Sequence, residues 1–314
     1  MTDTDASLLI RRCRRADVPL LTAWTSADPV AWVGRRALTD ELETGAYRPE
    51  WSWIAERDGR PVGRALWWGR AGADVPSTLD CLTVSPGVPV PEDVGTALVR
   101  AGLDTFGSHG DLEFNVDVAV SWAGDPAAAE AVRWRHEAAH RGGFARTTER
   151  ISFAWTSSDP MPPRSTRLRF ESAPDAFFQA MFADVASGSL DGHTIDMAAR
   201  EGVEALAEDD LAFYLSLPGD REAWRSARLS DGRTVGFIVP TRTAYDASIS
   251  YLGVLPGHRG HGYVHDLLAE MVHVHHEDGQ PRIVGTTDAA NRPMRAAFER
   301  AGFSVTRVRL VHSR

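Results

Sequence analysis

The apolar positions of this chain recur with two periods, two residues for strands and three to four for helices, and the whole series runs twice. In the first half, residues 8–13 read as a strand, and residues 16–24 as a helix carrying Leu20, Leu21 and Trp24. A mixed stretch follows, helical around residues 37–42. Residues 51–56 and 62–68 alternate as strands, joined by Arg57-Asp58-Gly59-Arg60, a tight-hairpin signal. Residues 78–84 form the next strand, stopped by Ser85-Pro86-Gly87. Residues 92–106 place Val94, Leu98, Ala101 and Leu103 on one helical side. A strand at 112–120, a helix at 126–140 ended by Gly142-Gly143-Phe144, and a closing strand at 149–155 complete the half.

Residues 156–163, polar and proline-rich, read as a linker, after which the series restarts. It predicts a strand at 167–170, helices at 174–185 and 201–217, and strands at 224–229, 235–239 and 248–254. A helix at 264–275, a strand at 282–286, a helix at 292–300 and a last strand at 306–312 follow. Details repeat as well. Asp58-Gly59-Arg60-Pro61-Val62-Gly63 aligns with Asp231-Gly232-Arg233-Thr234-Val235-Gly236, and Leu82-Thr83-Val84-Ser85-Pro86-Gly87 with Leu252-Gly253-Val254-Leu255-Pro256-Gly257. Gly143-Phe144 aligns with Gly302-Phe303. Three matches in the same order mark an internal duplication. The expectation is a mixed α/β chain of two tandem units, residues 1–157 and 158–314.

The length of 314 residues suits two cores, and no apolar run approaches the roughly 20 residues that a membrane helix needs. The opening residues are polar and acidic, unlike a secretory leader, so the expected location is cytoplasmic. Only Cys13 and Cys81 occur, which leaves no disulfide framework and no thiolate metal site. A net charge of −9 argues against nucleic acid as a partner. The chain has no lysine at all, which excludes Schiff-base chemistry and a phosphate-loop lysine.

One stretch concentrates the chemistry. Val254-Leu255-Pro256-Gly257-His258-Arg259-Gly260-His261-Gly262-Tyr263-Val264 is a strand end, a turn, and a glycine-rich helix start. Glycines allow close backbone approach, and the first N–H groups of a helix favour an anion. About 30 residues on come Asn291, Met294, Phe298, Glu299, Gly302 and Phe303. The pair of blocks resembles the GNAT superfamily of acetyl-CoA-dependent N-acetyltransferases. Its pattern is Val-x-Pro, then Arg/Gln-x-x-Gly-x-Gly/Ala, then a later Asn block closing on Gly-Phe. Residues 165–314 carry the resemblance well, and residues 8–155 at the level of fold.

The resemblance implies an acyltransferase with a mixed twisted sheet flanked by helices in each unit. It implies acetyl-CoA as co-substrate, with its pyrophosphate on the loop His258, Arg259, Gly260, His261, Gly262, Tyr263 and Val264. Pantetheine would pair with the strand edge at Leu252, Gly253 and Val254, while Asn291 and Phe298 approach from the other side. Two positions depart from the pattern: Val264 replaces a small residue, and Phe298 replaces the tyrosine that in many relatives protonates the leaving thiolate. An ammonium acceptor must lose a proton before attack. Asp288 is the first candidate base and Asp246 the alternative, although Asp288 reads more readily as a helix cap ahead of Asn291 and Pro293.

The remaining signals are weaker. His261 and His265 stand at a zinc-like spacing, but no third ligand is placed, and no metal is expected. The first half lacks the loop: Val88-Pro89-Val90-Pro91-Glu92-Asp93 removes N–H donors and adds acid, so this degenerate copy should not bind the coenzyme. Nine of the ten tryptophans lie in that half, most of them expected in its core. Between Glu171 and Asp231 stand 13 acidic residues and four arginines, densest at Glu208-Asp209-Asp210. A solvated helix face accounts for them; a cationic acceptor would also suit them. The expected acceptor is therefore a small-molecule amine, cationic or partly aromatic, with a monomer expected and neither membrane nor nucleic acid as partner. The alternatives are a non-catalytic acetyl-CoA sensor or scaffold, and a mycothiol-synthase-like or protein-directed acyltransferase.

Overall fold

The computed structural model describes residues 7–24, 28–30, 37–243 and 245–314; the acidic start, residues 1–6, lies outside them. The chain divides into two compact units, residues 1–149 with 307–314, and residues 150–306. In chain order the elements are β1 (Leu9–Arg12), α1 (Val18–Thr22), α2 (Leu38–Thr44), β2 (Tyr47–Arg57), β3 (Arg60–Trp68), β4 (Thr78–Val84) and α3 (Pro91–Phe106). There follow β5 (Glu113–Val118), α4 (Pro126–Gly142), β6 (Arg146–Thr156), β7 (Arg169–Glu171), α5 (Asp175–Ala186), α6 (Gly192–Glu201) and α7 (Val203–Ser216). The last are β8 (Arg225–Arg228), β9 (Thr234–Arg242), β10 (Ala247–Val254), α8 (Tyr263–Glu277), β11 (Arg282–Asp288), α9 (Arg292–Arg300) and β12 (Ser304–Ser313).

In the first unit the strands run β1-β2-β3-β4-β5-β12, antiparallel except where β4 lies parallel to β5. The β2–β3 hairpin closes through Asp58 and Gly59 at φ 50° and 69°, the double left-handed turn that twisted strands require. Trp53, Trp67, Leu98, Leu103 and Phe106 fill one face, and Cys13, Leu21, Tyr47, Ile54 and Leu66 the other. Trp51, Trp53 and Trp67 are buried, as the pattern predicts for most of the tryptophans.

The second unit repeats this order as β7-β8-β9-β10-β11-β6, again with a single parallel pair, β10 beside β11. Helices α8 and α9 cover one face with Leu267, Leu268, Met271, Val272 and Phe298. Helices α5 and α7 cover the other, where Phe178, Phe182, Val185 and Ala207 meet Phe237 and Val239.

Two features differ from the expectation. The closing strands are exchanged: Arg150 to Thr156 of β6 pair with β11, and Val308 to Ser313 of β12 pair with β5. The compact units therefore do not coincide with a linear cut after residue 157. Ile151, Phe153 and Trp155 suit either core as well as Val308, Leu310 and His312 do, and local pattern does not choose between partners. The second feature is α6, a helix absent from the expected series. Asp191 caps it, accepting from the Thr194 N–H at 3.0 Å, and an Asp three residues before a Thr is the signal that marks its start. No helix among the described residues is long and apolar enough to cross a membrane.

Candidate functional site

The site is built on a sheet that opens. β10 and β11 pair at only two positions, Ala247 with Ile283 and Ser248 with Val284. Beyond them β10 stays paired with β9 as far as Val254, and β11 with β6 as far as Asp288. The facing edges of β10 and β11 therefore part and carry no strand. Leu255 donates its N–H to Val235 O at 2.9 Å, so by alternation Leu252 and Val254 turn their N–H and C=O groups into the gap. Gly253 serves packing: a Cβ there would stand 2.7 Å from Phe237 and 2.9 Å from Val185.

At the open end of β10 the chain makes a short 3-10 turn, Pro256–His258, and enters α8. Gly260 and Gly262 adopt φ of 81° and 74°, conformations that side chains disfavour. A Cβ on Gly260 would meet nothing within 4 Å, so the loop is open on that side. Among the described residues no protein acceptor takes the N–H groups of Gly260, His261, Gly262, Tyr263 or Val264. Val264 packs against the core of the unit, so its branched side chain is accommodated inward. His258 and His261 stand beside Tyr263, at ring separations of 6.4 and 5.8 Å.

Arg259 faces backbone carbonyls. Its guanidinium donates to Val254 O at 3.2 Å, Gly188 O at 2.7 Å and Val185 O at 3.0 Å, clasping the loop to the end of α5. Beside the first turn of α8 lies a groove of about 520 Å³, lined by residues 162–167, His261, His265, Asp266 and Arg300. Burial lowers the pKa of His265, with Arg300 acting in the same direction. The histidines farther along α8 are engaged singly: His273 with Pro162 O at 2.8 Å and His275 with Ser248 O at 3.0 Å.

The two carboxylates singled out in the sequence each have protein partners. Asp246 sits at the paired end of β10, ion-paired to Arg282 at 2.7 Å. An eight-residue strand at about 3.3 Å per residue puts that end far from the open mouth. Asp288 stands at the mouth, but it is 5 % exposed and accepts the Gly192 N–H at 2.8 Å, with Arg150 Nε 3.2 Å away. It pins the start of α6 to β11, favourably placed at a helix N-terminus. Burial nonetheless raises its pKa, against the Gly192 bond and Arg150. Asn291 caps α9, accepting from Met294 N at 3.2 Å. Phe298 is 1 % exposed, stacked on Phe153 at 4.6 Å, with its tip against Gly285 where β10 and β11 part. It closes the fork from the α9 side.

The opposite face carries two tyrosines that the sequence pattern did not mark, beside Asp210 of the acidic run. Tyr251, just before Leu252, lies 5.5 Å from Tyr214 of α7 and 5.1 Å from Phe182 of α5, ring to ring. Asp210 precedes Tyr214 by one helical turn and shares its side. Burial pushes Asp210 up to about 6, opposed by His193 and helped by Asp191 and Asp209. Burial also raises the phenols, Tyr214 well above its ordinary value. The signal for these residues was their helical spacing with Ala207, which is buried.

The first unit repeats the opening without the loop. β4 and β5 pair only at Thr78 with Glu113 and Leu79 with Phe114. Here the edge is taken: Arg135, 1 % exposed, donates to Leu82 O at 3.0 Å, and Leu82 is the counterpart of Leu252 in the repeat. Its other partners are Asp28 and Ala131 O. The counterpart helix, α3, begins at Pro91 with Glu92 and Asp93 in its first turn.

A sheet with one parallel pair that parts over an anion-ready helix start defines the GNAT fold. The comparisons agree: residues 193–303 match the acetyltransferase (GNAT) family, so the second unit carries a GNAT domain. A GCN5-related N-acetyltransferase from Sphaerobacter thermophilus is 19% identical over 98% of this chain and 95% of that one, with a TM-score of 0.59. A tandem GNAT protein from the clavulanic acid biosynthesis pathway is 17% identical over 98% of both chains, with a TM-score of 0.50. The glucosamine N-acetyltransferase region of a fungal β-N-acetylglucosaminidase is 15% identical over 98% of this chain and 38% of that one, with a TM-score of 0.57. At these identities the likeness is one of fold. No curated protein matches the sequence.

Proposed function

We propose that this protein is an acetyl-CoA-dependent N-acetyltransferase with its working site in the second unit and a small-molecule amine, cationic at neutral pH, as acceptor. One observation carries the reading: a strand edge at Leu252 and Val254 that pairs with no strand, its Val254 carbonyl met by Arg259, leads directly to five N–H groups, Gly260 to Val264, that have no protein acceptor. Unpaired N–H groups at a helix start suit a pyrophosphate, and a bare strand edge suits an extended amide chain such as pantetheine. Arg300 and His265 line the groove that would take the nucleotide end. Bound acetyl-CoA supplies an activated acyl carbon. The chain's own part is to hold it along β10 and to receive the amine at Tyr214 and Tyr251, beside the carboxylates of α6 and α7. Aromatic faces and carboxylates together favour a cation. The first unit plays no part in coenzyme binding, because Arg135 fills its edge.

Calorimetry with acetyl-CoA tests the site. The wild type should bind one equivalent, and Gly260→Asp, whose carboxylate would stand beside the N–H groups proposed to meet the pyrophosphate, should bind at least tenfold more weakly. A panel of primary amines assayed for free thiol then reports transfer. Absence of binding by the wild type, or binding indifferent to Gly260→Asp, would sink the proposal.

A further inference from the structure

Glu208, Asp209 and Asp210 are adjacent in the chain, and the fold separates them. Helix α7 leaves Glu208 and Asp209 exposed and turns Asp210 inward, on the side that carries Ala207 and Tyr214. Tyr214 reaches Tyr251, 5.5 Å away ring to ring, and Tyr251 adjoins the Leu252 edge. On the other face of the sheet, Phe298 closes the fork against Gly285. Phe298 thus covers the fork from the α9 side, and Asp210 lies on the α7 side. Asp288 and Asp246, the other carboxylates near these strands, are committed to Gly192 and Arg282.

We propose that Asp210 is the general base that removes a proton from the acceptor ammonium, an inference that rests on the acetyltransferase reading of this site. The carboxylate takes one N–H proton, which leaves a neutral amine with its lone pair free. The nitrogen forms a bond to the thioester carbonyl carbon, and the carbon–sulfur bond breaks. The nitrogen's second proton goes to the departing sulfur, giving amide and free thiol, and Asp210 returns its proton to water. No oxidant or metal enters the balance.

The surroundings of Asp210 suit the role. Asp191 and His193 face it from α6, Asp209 and Tyr214 from α7, and Tyr251 from β10, while Arg150 and Arg259 act on the two phenols. With its pKa held at about 6, the carboxylate is ionised at neutral pH. It is also roughly a hundredfold stronger as a proton acceptor than a solvent-exposed aspartate.

The test uses the full chain. Carbon-13 carboxyl resonances of the protein alone, titrated by NMR, should show Asp210 changing near pH 6. Asp210→Asn should lower kcat/KM for the amine by about 10²- to 10⁴-fold and remove the acid limb of the pH profile. Its affinity for acetyl-CoA should be unchanged, which also shows that the variant folds. Asp231→Asn, exposed in the turn between β8 and β9, should keep both rate and limb. Asp210 titrating with the exposed aspartates, or Asp210→Asn retaining the rate and the limb, overturns the assignment and leaves the acetyltransferase reading intact. A wild type that binds no acetyl-CoA overturns both.

Discussion

Arg259 is the position where the motif and the fold assign different work to one side chain. As a phosphate cation it would act through charge; in the structure it clasps Val254, Gly188 and Val185 through three backbone carbonyls. Arg259→Met keeps the length of the stem and removes the three donors. An ordinary hydrogen bond contributes about 0.5–1.5 kcal/mol net, and Arg259 is exposed, so the lower half of that range applies and the sum is about 2 kcal/mol. For units of this size that corresponds to a fall of about 4–8 °C in Tm. The loop would also lose its tie to the end of α5, so acetyl-CoA affinity should fall through disorder and not through lost charge. Thermal unfolding, with calorimetry at about 50 and about 300 mM salt, separates the two roles, since exposed charge interactions are screened at the higher concentration. The clasp predicts a lower Tm and an affinity ratio, variant to wild type, that hardly changes with salt. An unchanged Tm with an affinity loss that shrinks as salt rises would refute it, because the guanidinium would then be meeting phosphate.

Two further predictions concern stability. Gly285→Ala would set a Cβ 2.5 Å from Phe298 Cζ in a packed core, and such overpacking costs about 1–3 kcal/mol; denaturant unfolding should show it, and a wild-type midpoint would mean that the fork is looser than described. Asp80 in the first unit is 7 % exposed, and burial pushes its pKa up to about 6 despite Arg309 and the Tyr47 hydroxyl at 2.9 Å. A carboxyl raised on folding contributes stability that is complete below its unfolded pKa, near 4, and is lost as pH rises through about 6. Asp80→Asn should therefore be more stable than the wild type at pH 8, by up to about 3 kcal/mol, and nearly equal to it at pH 4; parallel pH profiles would contradict this.

Much of the molecule is legible in its sequence. The hairpin at Asp58-Gly59, the helix start after Gly262, the Asn291 cap and the repeated strand–helix series depend on residues a few positions apart, and such short-range chemistry is written in the chain. So is the absence of the glycine-rich loop from the first copy: Pro89 and Pro91 remove N–H donors, and Glu92 and Asp93 add negative charge, wherever the strand leads. Tertiary structure decided the rest, because it depends on partners distant in the chain. The two closing strands exchanged sheets. Arg259 turned to carbonyls some 70 residues away. Asp288 was drawn to the start of a helix nearly 100 residues away. Of three consecutive acids only the last was turned inward, since helix rotation fixes which side each residue occupies but only the packing of α7 over Tyr251 fixes which side is covered.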